Sequence, residues 1–309
     1  HHGYFRNCRS MIQLQHSSSH YSFNEDGLRD RNRAFFAGGS FQVYGDSVAK
    51  GLYLEADATL PAELERRLSP KLGYPFLNAG LRQSSPTNQS LFFELIAPVY
   101  PPKGLLLVLN GTDPQDEIFF RTQALSTDSK GVPTRFRTTE DPDWRYLIVS
   151  TIHRNFPRSL LGMRIIRFIR GREWGALMSK VPINEDTVCG GLFRFVGMAE
   201  ERKLPYMIVF LPNPPDGLDG YFATYGTRYD SNSFDLLRSC ARKTKGTVVD
   251  LSGLGGELKE DFLFFDHIHF KAPGIQWIAN HIEEAVLRTF SAGKAKTSRA
   301  KLDGKSKSF

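Results

Sequence analysis

The sequence predicts an α/β fold built on a parallel sheet, and three observations carry that expectation. Short apolar runs alternate with segments of helical spacing, the pattern of repeated strand-helix-strand units. The run Leu105–Leu109 is continuously apolar, as a strand buried on both faces requires. Blocks rich in small and polar residues, Gly45-Asp46-Ser47, Gly80, Asn110-Gly111-Thr112-Asp113 and Asp266-His267-Ile268-His269, fall just beyond strand ends or in late loops. In a parallel sheet that edge is where ligands bind.

In chain order, Phe41-Gln42-Val43-Tyr44 reads as the first strand and leads through Ser47 toward a helix near residues 58 to 68, where Leu60, Leu64 and Leu68 repeat at helical spacing. A second strand is expected at residues 75 to 78 and a helix near 87 to 97, ahead of the third strand, Leu105 to Leu109. The alternation then stops until Asn184, which is placed to cap a helix carrying Glu185 and Asp186 in its first turn. Residues 204 to 211 make a fourth strand; a helix near 231 to 244, the strand Thr247 to Leu251 and a last helix from about Gly274 to Phe290 follow.

One core domain with an insertion accounts for 309 residues. The expected organisation is a lead-in at 1–35, a main domain at 36–290 with an insertion at about 114–182, and a basic tail at 291–309. Part of the net charge of +7 lies in that tail, in Lys294, Lys296, Arg299, Lys301, Lys305 and Lys307 against Asp303. The tail is expected to be disordered and solvated, or else an electrostatic tether to anionic surfaces, so the charge does not point to nucleic acid. No run approaches the roughly eighteen apolar residues of a membrane span. The chain starts His1-His2 rather than Met, as expected of a segment cut from a longer product, so a signal or anchor ahead of it would be invisible. Cys8, Cys189 and Cys240 are odd in number and widely spaced, which gives no complete disulfide framework and no metal-ligand pattern.

A serine hydroxyl is a weak nucleophile until a neutral imidazole takes its proton and a carboxylate orients that imidazole. Ser47, Asp266 and His269 supply the three groups in that order. The two-residue gap between Asp266 and His269 lets a short turn fold the carboxylate onto the ring. His267 is the rival base, but it adjoins Asp266 directly. Asp46 braces the turn. Ser47 alone could equally be a turn serine and Gly80 only a strand-ending glycine. Asp266, His267 and His269 might also be read as metal ligands, yet no second cluster accompanies them, so neither metal nor cofactor is expected.

These blocks, in this order, resemble those of the SGNH, or GDSL-type, hydrolases: a Gly-Asp-Ser serine, a lone glycine, a Gly-x-Asn-Asp asparagine and an Asp-x-x-His. The resemblance covers residues 23 to 290 and extends to Asn24-Glu25-Asp26-Gly27-Leu28-Arg29, similar to the lead-in of cell-envelope members, and to His269-Phe270-Lys271-Ala272-Pro273-Gly274. It implies a three-layer α/β/α sandwich with a flavodoxin-like sheet, to which the break in the alternation adds a helical insertion after the third strand. It implies an oxyanion hole of the Ser47 N–H, the Gly80 N–H and an asparagine side chain. The third block departs from the family pattern: ungapped alignment puts Thr112 at the asparagine position, whereas a small shift in the turn would bring Asn110 there. Asn110 is the favoured donor and Thr112 the reserve; a weakened hole is the third alternative.

The activity implied is hydrolysis of O-acyl esters, O-acetyl above all, on a carbohydrate or cell-envelope substrate outside the cytoplasm of a bacterium. The same triad would serve an O-acyltransferase or a lipase-like esterase, and a lost oxyanion hole would leave a glycan-binding module. In the insertion, Arg154, Arg158, Arg164, Arg167, Arg170 and Arg172 are interleaved with apolar residues. That pattern reads as an amphipathic helix covering the core, or as a cap favouring anionic polymers or headgroups.

Overall fold

The computed structural model describes residues 7, 9–13, 18–129, 131–136, 181–213, 230–263 and 268–305. Asp266, His267 and the arginine-rich stretch from Arg154 to Arg172 lie outside the described residues. An antiparallel hairpin, β1 (Arg9–Gln13) with β2 (Ser18–Ser22), precedes the main sheet. The main sheet holds β3 (Ser40–Tyr44), β4 (Phe76–Asn78) and β5 (Pro102–Leu109). A second hairpin, β6 (Ala124–Thr127) with β7 (Pro133–Phe136), stands apart from it. The strands β8 (Tyr206–Phe210) and β9 (Thr247–Asp250) complete the main sheet. Its order is β4-β3-β5-β8-β9, every neighbouring pair parallel.

Side chains alternate across this sheet with the period of two that a strand imposes. Leu105, Leu107 and Leu109 of β5 and Ile208 and Phe210 of β8 enter one core, with helices α3 (Pro86–Ile96), α5 (Glu185–Glu201) and α6 (Ser231–Arg242). Leu106 and Val108, with Met207 and Val209, enter the other, beneath α2 (Leu60–Leu72) and α7 (Ala272–Lys305). The molecule is a three-layer α/β/α sandwich. In α2 the expected leucine stripe is complete: Leu60, Leu64, Leu68 and Leu72 are all fully buried. Asn184 caps α5 by accepting from the Thr187 N–H at 3.0 Å.

Three features differ from the expectation. The insertion opens with a helix, α4 (Asp113–Thr122), and the β6–β7 hairpin. Ser47 begins its own single turn, α1 (Ser47–Lys50), rather than running directly toward α2. The backbone of α7 continues to Lys305, past the expected end near Phe290, because Ala, Lys and Arg are strong helix formers and no proline interrupts them. Among the described residues no helix is long and apolar enough to cross a membrane.

Candidate active site

The chain lays down β3, crosses to β4 on one side, then returns to β5 on the other, so the topology reverses between β3 and β5. A crevice outside the carboxyl ends of these two strands is the ligand position of a doubly wound sheet. Register decides which residues meet there. Tyr44 pairs with Leu107, and β5 runs on to Leu109, which brings Asn110 out beside the Asp46-Ser47 turn. On the other side Val43 pairs with Asn78, and the Leu81 N–H donates to the Gly45 carbonyl at 2.9 Å. Gly80 therefore packs against the end of α1, at Ala49 and Lys50.

Ser47 is half-buried at the lip of β3, and its Oγ lies 2.8 Å from His269 Nε2. His269 comes from a distant loop whose anchors are apolar: the flanking Ile268 and Phe270 are both buried, and the Lys271 N–H donates to the Phe262 carbonyl at 2.8 Å. A hydroxyl within hydrogen-bond reach of an imidazole is the nucleophile–base arrangement of serine hydrolases.

Asp46 is buried and accepts from the Val48 N–H at 2.8 Å and from Asn110 Nδ2 at 2.9 Å. It braces the turn, and burial raises its pKa against the opposing pull of these bonds. The Asn110 carbonyl oxygen accepts from both the N–H and the hydroxyl of Thr112, each at 2.8 Å. The side chain is thus held with its oxygen on Thr112 and its nitrogen toward Asp46. Beneath it the Asn110 N–H donates to Asp113 Oδ2 at 2.6 Å. Burial, and then the neighbouring Asp46, push the Asp113 carboxyl well above its usual range.

Gly80 has its N–H on Asn78 Oδ1 at 3.1 Å. A side chain here would meet backbone: an added Cβ would lie 2.3 Å from Lys50 N and 2.7 Å from Lys50 Cα. Gly45 is equally confined, since a Cβ would sit 2.7 Å from both Ala49 Cβ and the Val108 carbonyl. Its own carbonyl accepts from Gln89 Nε2 and, at 3.4 Å, from the Ser84 hydroxyl. Lys50, buried at the end of α1, has its pKa pushed down to about 6 by burial and by the nearby Arg29 and Arg82.

The structure brings together Ser47, His269, Asn110 and Thr112, with Gly80 against α1; Asp266 lies outside the described residues. Sequence reasoning missed Gln89 and Ser84, which hold the Gly45 carbonyl, and Tyr53, whose ring stands edge-on to His269 at 5.1 Å. It also missed the disulfide Cys189–Cys240 joining α5 to α6. Among the described residues no group of three or more metal-ligating side chains is present. A shallow cavity of about 400 Å³ lined by Tyr206, Lys245 and Arg288 lies at the starts of β8 and β9, the opposite edge of the sheet.

Fold and site together define an α/β protein with a serine–histidine pair at its topological switch point. Solved structures similar to it include TesA, at 14% identity over 81% of this chain and 99% of that chain, with a TM-score of 0.48. The psychrotrophic esterase EstA from Pseudoalteromonas sp. is 11% identical over 81% of this chain and 97% of its own, with a TM-score of 0.46. AlinE4, an SGNH-hydrolase family esterase, is 16% identical over 82% of this chain and 97% of its own, with a TM-score of 0.40. No protein-family model and no curated protein matches the chain.

Proposed function

We propose that the protein is a serine esterase that works through an acyl-enzyme. The observation that carries this reading is the 2.8 Å contact between Ser47 Oγ and His269 Nε2 at the switch point of a parallel sheet. His269 takes the Ser47 proton as the oxygen attacks the acyl carbonyl, then delivers it to the leaving alcohol; water, activated by the same imidazole, releases the acyl group. Asp266 orients the ring. The Ser47 amide and the Asn110 side chain receive the oxyanion, and the Gly80 N–H joins them by exchanging its bond to Asn78 Oδ1, held at 3.1 Å. Thr112 supports this assignment by taking the Asn110 carbonyl oxygen, which leaves the amide nitrogen, with its two hydrogens, as the donor end.

The substrate in this reading is an O-acyl ester, O-acetyl in preference, of a carbohydrate or cell-envelope polymer, handled outside the bacterial cytoplasm. The Cys189–Cys240 bond supports an oxidising compartment. The basic C-terminal segment favours loose contact with anionic envelope polymers. A fluorophosphonate should label Ser47, and p-nitrophenyl acetate should be cleaved faster than long-chain esters. Labelling that survives in Ser47→Ala removes the nucleophile assignment, and a preference for long acyl chains removes the acetyl one.

A further inference from the structure

Tyr53, in the loop after α1, has φ +70°. A bulky aromatic residue in the left-handed region is an outlier, since its Cβ crowds the following carbonyl. Such strain persists only where the surroundings hold it, and it clusters at ligand clamps and active sites. Here the support is explicit. The Tyr53 N–H donates to the Tyr21 hydroxyl at 2.7 Å. The Arg29 guanidinium lies 3.8 Å over the Tyr21 ring and donates to the carbonyls of Gly51, at 2.5 Å, and Leu54, one on each side of Tyr53. Pinned in this way, the half-buried Tyr53 ring meets the His269 imidazole edge-on, at 5.1 Å and an interplanar angle of 74°.

In the reaction proposed above, the imidazole hands its proton to the departing alcohol oxygen, so what borders the imidazole borders the alcohol side of the ester. From this juxtaposition we infer that Tyr53 is a specificity-determining wall for the alcohol half of the substrate, and that it selects esters of ring-shaped alcohols, a pyranose with an apolar C–H face. An aromatic ring offers such a face a rigid apolar surface. The inference rests on the serine-esterase reading and names its leaving group.

The test compares the parent with Tyr53→Gly and Tyr53→Phe on ethyl acetate and on an acetylated xylo-oligosaccharide. Glycine adopts φ +70° freely, so the glycine variant should melt no lower than the parent. Its kcat/KM for the saccharide relative to ethyl acetate should fall roughly two- to tenfold, the scale of one stacking contact, mainly through KM, and Tyr53→Phe should keep the parent's ratio. An unchanged ratio in Tyr53→Gly, including an equal fall on both esters, overturns the inference. Calorimetric binding of the same oligosaccharide in a Ser47→Ala background, where it is not cleaved, decides it apart from turnover: a parent that cleaves neither ester removes the esterase reading, whereas equal affinity with and without Tyr53→Gly removes this one.

Discussion

Replacing Asn110 by alanine tests the proposed oxyanion hole and the turn that would build it at once. The Asn110 amide makes three side-chain hydrogen bonds: its nitrogen donates to Asp46 at 2.9 Å and its oxygen accepts twice from Thr112 at 2.8 Å. Loss of one oxyanion donor raises the barrier by about 2.7–4 kcal/mol, or on the order of a hundred- to a thousandfold in kcat. Because the contact strengthens in the transition state, KM should change little. Asn110→Ala also strips a partner from the buried Asp46 oxygen, which costs about 1–3 kcal/mol of stability. Thr112→Val removes only the hydroxyl bond and leaves the backbone N–H on Asn110, so its effect on kcat should be mild, about 1 kcal/mol. Steady-state kinetics on p-nitrophenyl acetate, paired with denaturant unfolding, separate the two effects. A larger kcat loss in Thr112→Val than in Asn110→Ala refutes the reasoning and moves the donor to Thr112; two mild effects leave the backbone amides as the whole hole.

Three further outcomes are expected. Gly80→Ala should lose about 1–3 kcal/mol of stability along with most of its turnover, because the Cβ meets Lys50 backbone at 2.3 Å and must displace the turn that carries Ser47; an unchanged melting temperature contradicts the packing. Asp113→Asn should flatten the pH dependence of stability: burial raises the folded-state pKa, so the native protein keeps a proton that the unfolded chain releases, and stability falls as pH rises from the ordinary carboxylate range through the raised value. Unfolding by urea between about pH 5 and 8 checks this, and a variant at least as pH-sensitive as the parent refutes it. Reducing Cys189–Cys240, which closes a sequence separation of 51, should lower stability by about 4 kcal/mol on the chain-entropy account; a melting temperature indifferent to reductant counts against the bond.

Much of the fold was legible because parallel strands must be apolar on both faces and helices on one. Leu105–Leu109 and the Leu60, Leu64, Leu68 stripe are direct imprints of those two demands. The approach of Ser47 to His269 could be anticipated because the proposed nucleophilic chemistry needs particular residue types at strand ends and in late loops. The Cys189–Cys240 pairing was not, because it depends on α5 packing against α6, a tertiary relation without a local signature. The β6–β7 hairpin has short strands with irregular register and little alternation to read. Tyr53 left no signal at all, since its backbone conformation opposes the preference of its residue type. The choice between Asn110 and Thr112 turns on a slip of two residues in a loop, and the donation from Thr112 to Asn110 that bears on it exists only in three dimensions.

The lead-in motif takes on a different meaning once its bonds are traced. Asn24 Oδ1 accepts from the N–H groups of Asp26 and Leu28, and its Nδ2 donates to the Arg31 carbonyl and the Tyr100 hydroxyl. With Gly27 at φ +79°, this side-chain turn aims Arg29 inward. There both Nη atoms of Arg29 are committed to carbonyls of His20, Lys50, Gly51 and Leu54. A guanidinium can do this because its donors fan out in a fixed plane and stay charged; an ammonium on a flexible stem would not span the same carbonyls. The motif therefore serves the backbone rather than a ligand, and it fixes the far end of the turn that begins at Ser47. Preorganisation of that kind matters most for a site whose donors must be in place before charge develops. The bearing of the motif on specificity runs through the loop it supports, because the carbonyls it holds bracket Tyr53, and Tyr53 is the side chain that reaches His269.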